Sequence, residues 1–341
     1  MQAKRNPTIK DVAKAANLSV TTVSFVLNGK GDAIPDATKE QVYSAVERLN
    51  YCPNYTARSL VTQKTNMIGI IVPEITNSFF AELVHRLQNG FSAQGYDIIL
   101  CDNEETVEKD LRYINLLAGR NVDGLILAPS GASLLPENTV KIQNALRSLS
   151  MPVLFLDRYF GDFAPHVSVD NCTSAYSVTD YLLQKGHKKI GVVTGAMRLN
   201  SSFNRLKGVR KRLAEDGIQL PDANIYEGQY DIATGERAAE KFMQTDVTAI
   251  FAFSDMQAYG IYKKLKEHGK RVPDDVSVVG FDDNVYSVLL DKPLTTMRQP
   301  MEKLAADAVR SMLRMIRKEP YEKPTKSAAE LIERESVKKL P

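Results

Sequence analysis

Apolar residues follow two rhythms along this chain. Over roughly the first fifty residues they return every third or fourth position, the spacing that lines one side of a helix. Ile9, Val12, Ala13 and Ala16 predict a short helix over Ile9–Ala16, with Thr8 as its cap. In Leu18–Gly29 the inner stripe is Val23, Val26 and Leu27, with Ser19 placed to cap and Gly29 suited to close the helix left-handed. Asn17 fills the joint between the two, and Asn tolerates positive φ second only to Gly. A third helix is predicted from about Ala37 to Asn50, capped by Asp36, with Val42, Ala45, Val46 and Leu49 inward. Pro53 ends it, and Asn54 can cap a further helix carrying Ala57, Arg58 and Leu60 that is too short to be stable alone.

From Asn66 the rhythm changes to short, continuous apolar runs: Met67–Val72, Ile98–Leu100, Gly124–Leu127, Val153–Leu156, Ile190–Val193, Ala249–Phe253 and Val276–Phe281. Between them lie helix patterns such as Phe79–Gln94, where Phe80, Leu83, Val84, Leu87 and Phe91 share a side. Buried parallel strands read as such runs, so an N-terminal all-α headpiece precedes an α/β core. The number of units predicts two doubly wound parallel-sheet subdomains, facing one another across a cleft at their strand ends.

The second short helix carries the first functional signal. Val20, Thr21 and Phe25 fall on its outer side, where a merely solvated helix would carry Lys and Glu. Two short helices on a tight turn describe a helix-turn-helix, whose second helix enters the DNA major groove; the other reading is an ordinary helical hairpin. Charge favours the first. Residues 1–64 hold nine Lys/Arg against five Asp/Glu, and the remaining 277 hold 35 against 36, so the whole positive excess lies beside these helices.

A second signal lies just past the strands, in Asn77-Ser78-Phe79-Phe80, Asp157-Arg158, Ser254-Asp255 and Asp282-Asp283, with Arg205 and Tyr230 in loop or helix-start positions. Aromatic rings beside charged groups suit a sugar, the rings covering its C–H face and the charges binding its hydroxyls. Alternatively each Asp caps a following helix, and Asp255 is read that way. Cys52, Cys101 and Cys172 are widely spaced, without CxxC or nearby His, which implies a reducing compartment and no zinc. No apolar run approaches a membrane span and the start lacks a secretory core, so a cytoplasmic location without membrane contact is expected. No Ser–His–acid spacing, P-loop or metal cluster is present in the sequence, so neither an enzyme nor a bound cofactor or metal is expected. His85, His166, His187 and His268 are scattered, and His187 is read as shaping a helix-to-strand turn.

Several stretches, in order and spacing, resemble the lactose/galactose repressor family of bacterial transcription regulators over essentially the whole chain. They are Thr8-Ile-Lys-Asp-Val-Ala13, Ser19-Val-Thr-Thr-Val-Ser24, Val26-Leu-Asn-Gly29, Tyr51-x-Pro-Asn54 and Ala57-Arg-Ser-Leu60, then Ile70-Ile-Val-Pro73, Asn77-Ser-Phe-Phe80, Val279-Gly-Phe-Asp-Asp283 and Leu294-Thr-Thr-x-Arg-Gln299. The resemblance implies a helix-turn-helix headpiece at 1–52, a hinge helix or linker at 53–64, and a two-lobed, periplasmic-binding-protein-like core for effector binding and dimerisation at 65–341. One lobe is expected at about 65–160 and 296–322, the other at about 161–295 and 323–341. In the first lobe's returning segment a helix is expected at Met301–Arg317, and Leu331–Ser336 is expected back in the second lobe.

The resemblance also implies a homodimer on a near-palindromic DNA operator, repressing a carbohydrate-use operon. Its effector would be a small carbohydrate, ribose or another monosaccharide or a sugar phosphate. Val20, Thr21 and Phe25 would face bases, and Thr8, Thr22, Ser24 and Asn28 would reach phosphates. Many relatives have a polar or basic residue where Phe25 stands, so Phe25 either reads an apolar base feature or packs back on the headpiece. Asn54, Ala57, Arg58 and Leu60 would contact DNA from the hinge, with Leu60 either wedging a minor-groove step or packing hinge against hinge. Val61 brings no charge there, leaving Arg58 and Lys64 for phosphates. Phe79, Phe80, Asp157, Arg158, Arg205, Tyr230, Ser254 and Asp282 match effector positions. An alternative is a global catabolite regulator controlled by a phosphorylated partner protein, which requires a docking face on the first lobe.

Overall fold

The computed structural model describes residues 7–29, 32–52, 64–320 and 326–341. The chain divides into two compact units, Met1–Thr65 and Asn66–Pro341. In the first, α1 (Ile9–Ala16), α2 (Val20–Leu27) and α3 (Asp36–Leu49) enclose a thin core of Val12, Ala13, Val23, Val26, Val42 and Ala45. Asn17 takes φ 54° at the α1–α2 joint, and Gly29 takes φ 67° after α2. Arg48 donates to the Ala15 carbonyl at 2.9 Å and so ties α3 to the end of α1. Asp36 is not the cap expected for α3. Pro35 occupies that position, and Asp36 is the first helical residue, its carboxylate taken by Lys39 at 2.9 Å.

The second unit contains two lobes. The first is built on β1 (Met67–Val72), α4 (Ser78–Ser92), β2 (Asp97–Asp102), α5 (Val107–Gly119), β3 (Gly124–Leu127), α6 (Pro136–Arg147), β4 (Val153–Leu156) and β5 (His166–Val167). Its sheet is parallel, in the order β2-β1-β3-β4-β5. The second lobe has α7 (Asn171–Gln184), β6 (Ile190–Thr194), α8 (Asn200–Glu215), β7 (Ile225–Glu227), α9 (Ile232–Phe242), β8 (Ala249–Ala252), α10 (Asp255–Glu267) and β9 (Ser277–Val279). Its sheet, also parallel, runs β7-β6-β8-β9.

Three later elements stitch the lobes together. β10 (Thr296–Arg298) pairs antiparallel with β11 (Glu330–Ile332) beside the second sheet, and between them α11 (Met301–Ile316) returns to the first lobe. There Leu304, Ala308 and Met312 of α11 join Leu83, Leu87 and Phe91 of α4 over Ile68 and Ile70 of β1. The opposite face of that sheet is covered by Ile114, Leu117 and Ile142.

Two lobe boundaries differ from those expected. β5 extends the first sheet to Val167, past position 160, because a two-residue strand leaves no apolar run to read. Met297 of β10 is packed in the second lobe's core, so the chain crosses back only after Arg298, not at 296. His187 closes the turn between α7 and β6 and also holds the tail. Its ring nitrogens lie 2.9 Å from the Thr248 hydroxyl and 2.9 Å from the Lys338 carbonyl, and burial lowers its pKa.

Candidate functional site

In the first unit, α2 presents an uncharged outer side. Val20 is 40% and Phe25 47% exposed, while Val23 and Val26 are buried in the three-helix core; Phe25 is therefore not packed back on it. Ser19 caps the helix, accepting from the Thr22 amide at 3.0 Å, and its hydroxyl lies 2.8 Å from that of Thr22. Asn28 donates to the Ser24 carbonyl at 2.7 Å and to the Ser24 hydroxyl at 3.1 Å. The hydroxyl and amide of Thr8 both donate to the Asp11 carboxylate, at 2.7 and 2.8 Å. Thr21 and Asn28 are exposed, Thr22 and Ser24 half-buried. Asn54, Ala57, Arg58 and Leu60 lie outside the described residues.

In the second unit, all eight residues expected at the effector site line one cavity. Phe79, Phe80, Asp157 and Arg158 come from the first lobe, and Arg205, Tyr230, Ser254 and Asp282 from the second. Asn77, Ser201 and Gln299 complete the lining of this narrow cavity. Local backbone geometry explains the convergence. Asn77 caps α4 by accepting from the Phe79 amide at 3.0 Å, which sets Phe79 and Phe80 in the first turn with ring centroids 5.0 Å apart. Asp157 adopts φ 61° directly after β4, a left-handed turn that Asp tolerates better than most residues, and brings Asp157 and Arg158 to the sheet's carboxyl edge. Asp282 and Asp283 take φ 133° and 59° at the corresponding edge of the second sheet.

Arg205 is within α8 rather than at a loop or helix start. Its guanidinium lies 3.5 Å from the Phe281 ring centroid and donates to Asn171 at 2.8 Å and to the Phe253 carbonyl. Tyr230 shares hydrogen bonds with Ser202 at 2.7 Å and Ser201 at 3.1 Å. Ser254 caps α10, accepting from the Gln257 amide at 3.2 Å. Asp255 is the residue after that cap, not the cap. It is buried and accepts from the Asn284 amide at 2.7 Å, the Ser287 hydroxyl at 2.7 Å and the Thr296 hydroxyl at 2.5 Å, pinning the loop that carries Asp282.

The charges are unevenly satisfied. Burial, and then the neighbouring charge of Asp255, push Asp282 up to about 8, against the pull of Arg205 and a 2.6 Å hydrogen bond from Gln299. Burial raises Asp157 as well, opposed by Arg158 and Arg205. Burial would also raise Glu105, but the Arg158 guanidinium, with the Gly131 amide and Arg198, outweighs it and holds that carboxyl low. Arg158 is gripped by Glu105 through both terminal nitrogens, at 2.9 Å each. Its Nε remains buried with no hydrogen-bond partner, as does Oε1 of Gln299. An unpaired buried polar atom costs on the order of 1–3 kcal/mol, and two on one cavity's lining mark where a ligand's own polar groups fit.

Asn77 stands in a strand-end stretch read as part of the sugar signal without being named as a contact, and Gln299 stands only in a motif of the family resemblance. Ser201 and Glu105 left no trace, because a Ser early in a helix and a Glu in a polar loop are commonplace. Among the described residues no group of His, Cys, Asp and Glu could hold a metal ion, and no helix is long and apolar enough to cross a membrane.

Comparison with known proteins finds two matching stretches. Residues 8–54 match bacterial regulatory proteins of the lacI family, and residues 179–337 match the periplasmic binding protein-like domain. The HTH-type transcriptional repressor PurR of Aliivibrio salmonicida is 34% identical over 339 residues, covering 98% of this chain and 99% of its own. The ribose operon repressor of Halalkalibacterium halodurans is 36% identical over 339 residues, covering 97% of each chain. Among solved structures, a LacI family transcriptional regulator from Enterococcus faecium with bound ribose superposes at a TM-score of 0.70 and 26% identity, over 81% of this chain and 100% of its own.

Proposed function

This chain belongs to the lacI family of bacterial regulatory proteins and is a ligand-modulated, DNA-binding transcriptional repressor, and we propose that its effector is an uncharged monosaccharide, ribose or a close relative, held between the two lobes. The observation that carries this reading is the polarity left open in the cavity. Gln299 Oε1 and the carboxylates of Asp157 and Asp282 can accept hydrogen bonds, while Arg158 Nε has one to give. Acceptors and donors side by side suit a ligand made mostly of hydroxyls, each of which can both donate and accept, and Phe79 and Phe80 offer a surface for its C–H face. A sugar phosphate fits worse. The charge of Arg158 is already matched by Glu105, and a dianion would have to sit beside the carboxyl groups of Asp157 and Asp282 on the same lining.

On the DNA side, α2 is assigned to the major groove, with Val20, Thr21 and Phe25 toward bases and Thr8, Thr22, Ser24 and Asn28 toward phosphates. Phe25 cannot hydrogen-bond a base edge, so its readout is apolar, as against a thymine methyl. Asn54, Ala57, Arg58 and Leu60 are assigned to the hinge contact, Leu60 as the minor-groove wedge. The protein acts as a homodimer in the cytoplasm, binding rather than catalysing. A sugar that prefers one lobe arrangement shifts the population of that arrangement, and with it operator affinity.

Control by a phosphorylated partner protein is less well supported. A groove between α4 and α11 does carry Arg86, Arg310, Arg314 and Arg317. However, Arg86 is paired with Glu82 and Glu302, and Arg310 with Asp307. The test of the effector reading is a thermal-shift screen of neutral pentoses, hexoses and their phosphates. Stabilisation by neutral sugars alone is expected; a response confined to the phosphates would overturn the assignment.

A further inference from the structure

Glu105 lies outside the cavity lining yet holds part of its wall. While its carboxylate grips Arg158, Oε2 also accepts from the Gly131 amide at 2.6 Å. From the facing lobe, Arg198 Nε donates to the Gly131 carbonyl at 2.9 Å. The first-lobe side of this arrangement is fixed by buried Asp110, which accepts from the Ser130 amide, the Ser133 hydroxyl and the Asn103 amide group at 2.9, 2.6 and 2.6 Å. Gly131 has an ordinary helical φ of −58°, so its backbone does not require glycine. The space does. A Cβ added there would lie 3.1 Å from Arg198 Nε and 3.3 Å from Glu105 Oε2, pressing on both partners at once. A second bond between the lobes, Tyr159 amide to Asn200 Oδ1 at 3.0 Å, lies one residue along from cavity residues Arg158 and Ser201.

We propose that Glu105 is a positioning residue that links Arg158 in the cavity to Arg198 of the facing lobe through Gly131, so that lobe closure and orientation of the cavity's guanidinium are one event. The physical reason is that Arg158 Nε lies buried on the cavity lining with no hydrogen-bond partner, so it is the donor a ligand would meet. That donor is aimed only while the other two guanidinium nitrogens are clamped. The clamp shares Gly131 with the contact that brings the second lobe in. A ligand that takes the Arg158 donor therefore favours the closed arrangement, which is the differential affinity a repressor needs to respond. The link rests on the effector reading only for the ligand used to probe it.

The experiment compares wild type with Glu105→Gln, Arg198→Met, the double variant, Gly131→Ala and Arg198→Lys, all as full chains with folding checked by circular dichroism. D-ribose affinity is measured by calorimetry, and the radius of gyration of the sugar-free protein by small-angle X-ray scattering. Glu105→Gln and Arg198→Met should each weaken ribose by about tenfold, the double variant should be no worse than the weaker-binding single, and all three should share one enlarged radius. Gly131→Ala should shift both readouts the same way without removing a polar group, and Arg198→Lys should recover part of the affinity because an ammonium still donates to a carbonyl. Additive losses in the double variant, or a Glu105→Gln radius equal to wild type, would overturn the link. Should wild type ignore ribose, the effector reading fails, while the scattering comparison still decides the link.

Discussion

At the scale of single residues, Asp282 concentrates the chemistry of the cleft. A carboxyl raised to about 8 binds its proton more tightly folded than unfolded. Its contribution to stability is therefore complete below the ordinary aspartate range and is lost as pH climbs toward 8. The effector follows the opposite sign. Sugar hydroxyls donate, so they prefer the ionised carboxylate and must expel the proton. Ribose affinity should accordingly rise with pH up to about 8, by at most about tenfold per unit, with proton release visible as a buffer-dependent heat. Asp282→Asn should flatten that slope and abolish the sugar response in a gel-shift assay while leaving operator binding in place. The acids and rings of the cleft were legible in the sequence because they follow apolar runs at strand ends. Asp255 was misread for a related reason: a carboxylate next to a helix start looks like a cap, and only the folded loop reveals that it serves Asn284, Ser287 and Thr296. Glu105 was illegible because its partners Arg158 and Gly131 are distant in sequence, and nothing local distinguishes it from its acidic neighbours.

At the scale of elements, α2 separates folding from recognition along its two sides. Val23 is fully buried, so Val23→Ala should cost about 2 kcal/mol in a urea titration. Phe25 is half exposed, so Phe25→Ala should change stability by less than about 0.5 kcal/mol yet weaken operator binding measurably. An equal stability loss in both would contradict the assignment of that side to DNA. The α1–α2 joint makes a similar test, because Asn17 stands at φ 54°. Asn17→Gly should remain within about 1 kcal/mol of wild type, whereas Asn17→Ala should lose about 1–2 kcal/mol, since Ala keeps a Cβ at positive φ without the short polar side chain that lets Asn tolerate it. The helices of this unit were readable from spacing alone, and so were the longer strands, whose apolar runs match Met67–Val72, Gly124–Leu127 and Val153–Leu156. Strands β5, β7, β10 and β11 have two or three residues each, too few for any period to register.

At the scale of the molecule, charge is segregated by unit, with the positive excess at the N-terminal end. Operator affinity should therefore fall by on the order of a thousandfold between low and moderate salt, while ribose affinity, resting on buried contacts to an uncharged ligand, should barely move. A flat salt response in filter binding would count against phosphate contacts by the first unit. The crossing of α11 has a separate consequence, for biosynthesis. Ile68, Leu83 and Phe91 emerge from the ribosome long before Leu304 and Met312, the side chains that complete their shelter. Until some two hundred further residues have been translated, that oily sheet face stays open to whatever else is in the cell, and a nascent chain stalled within the intervening lobe would be a natural client for chaperones.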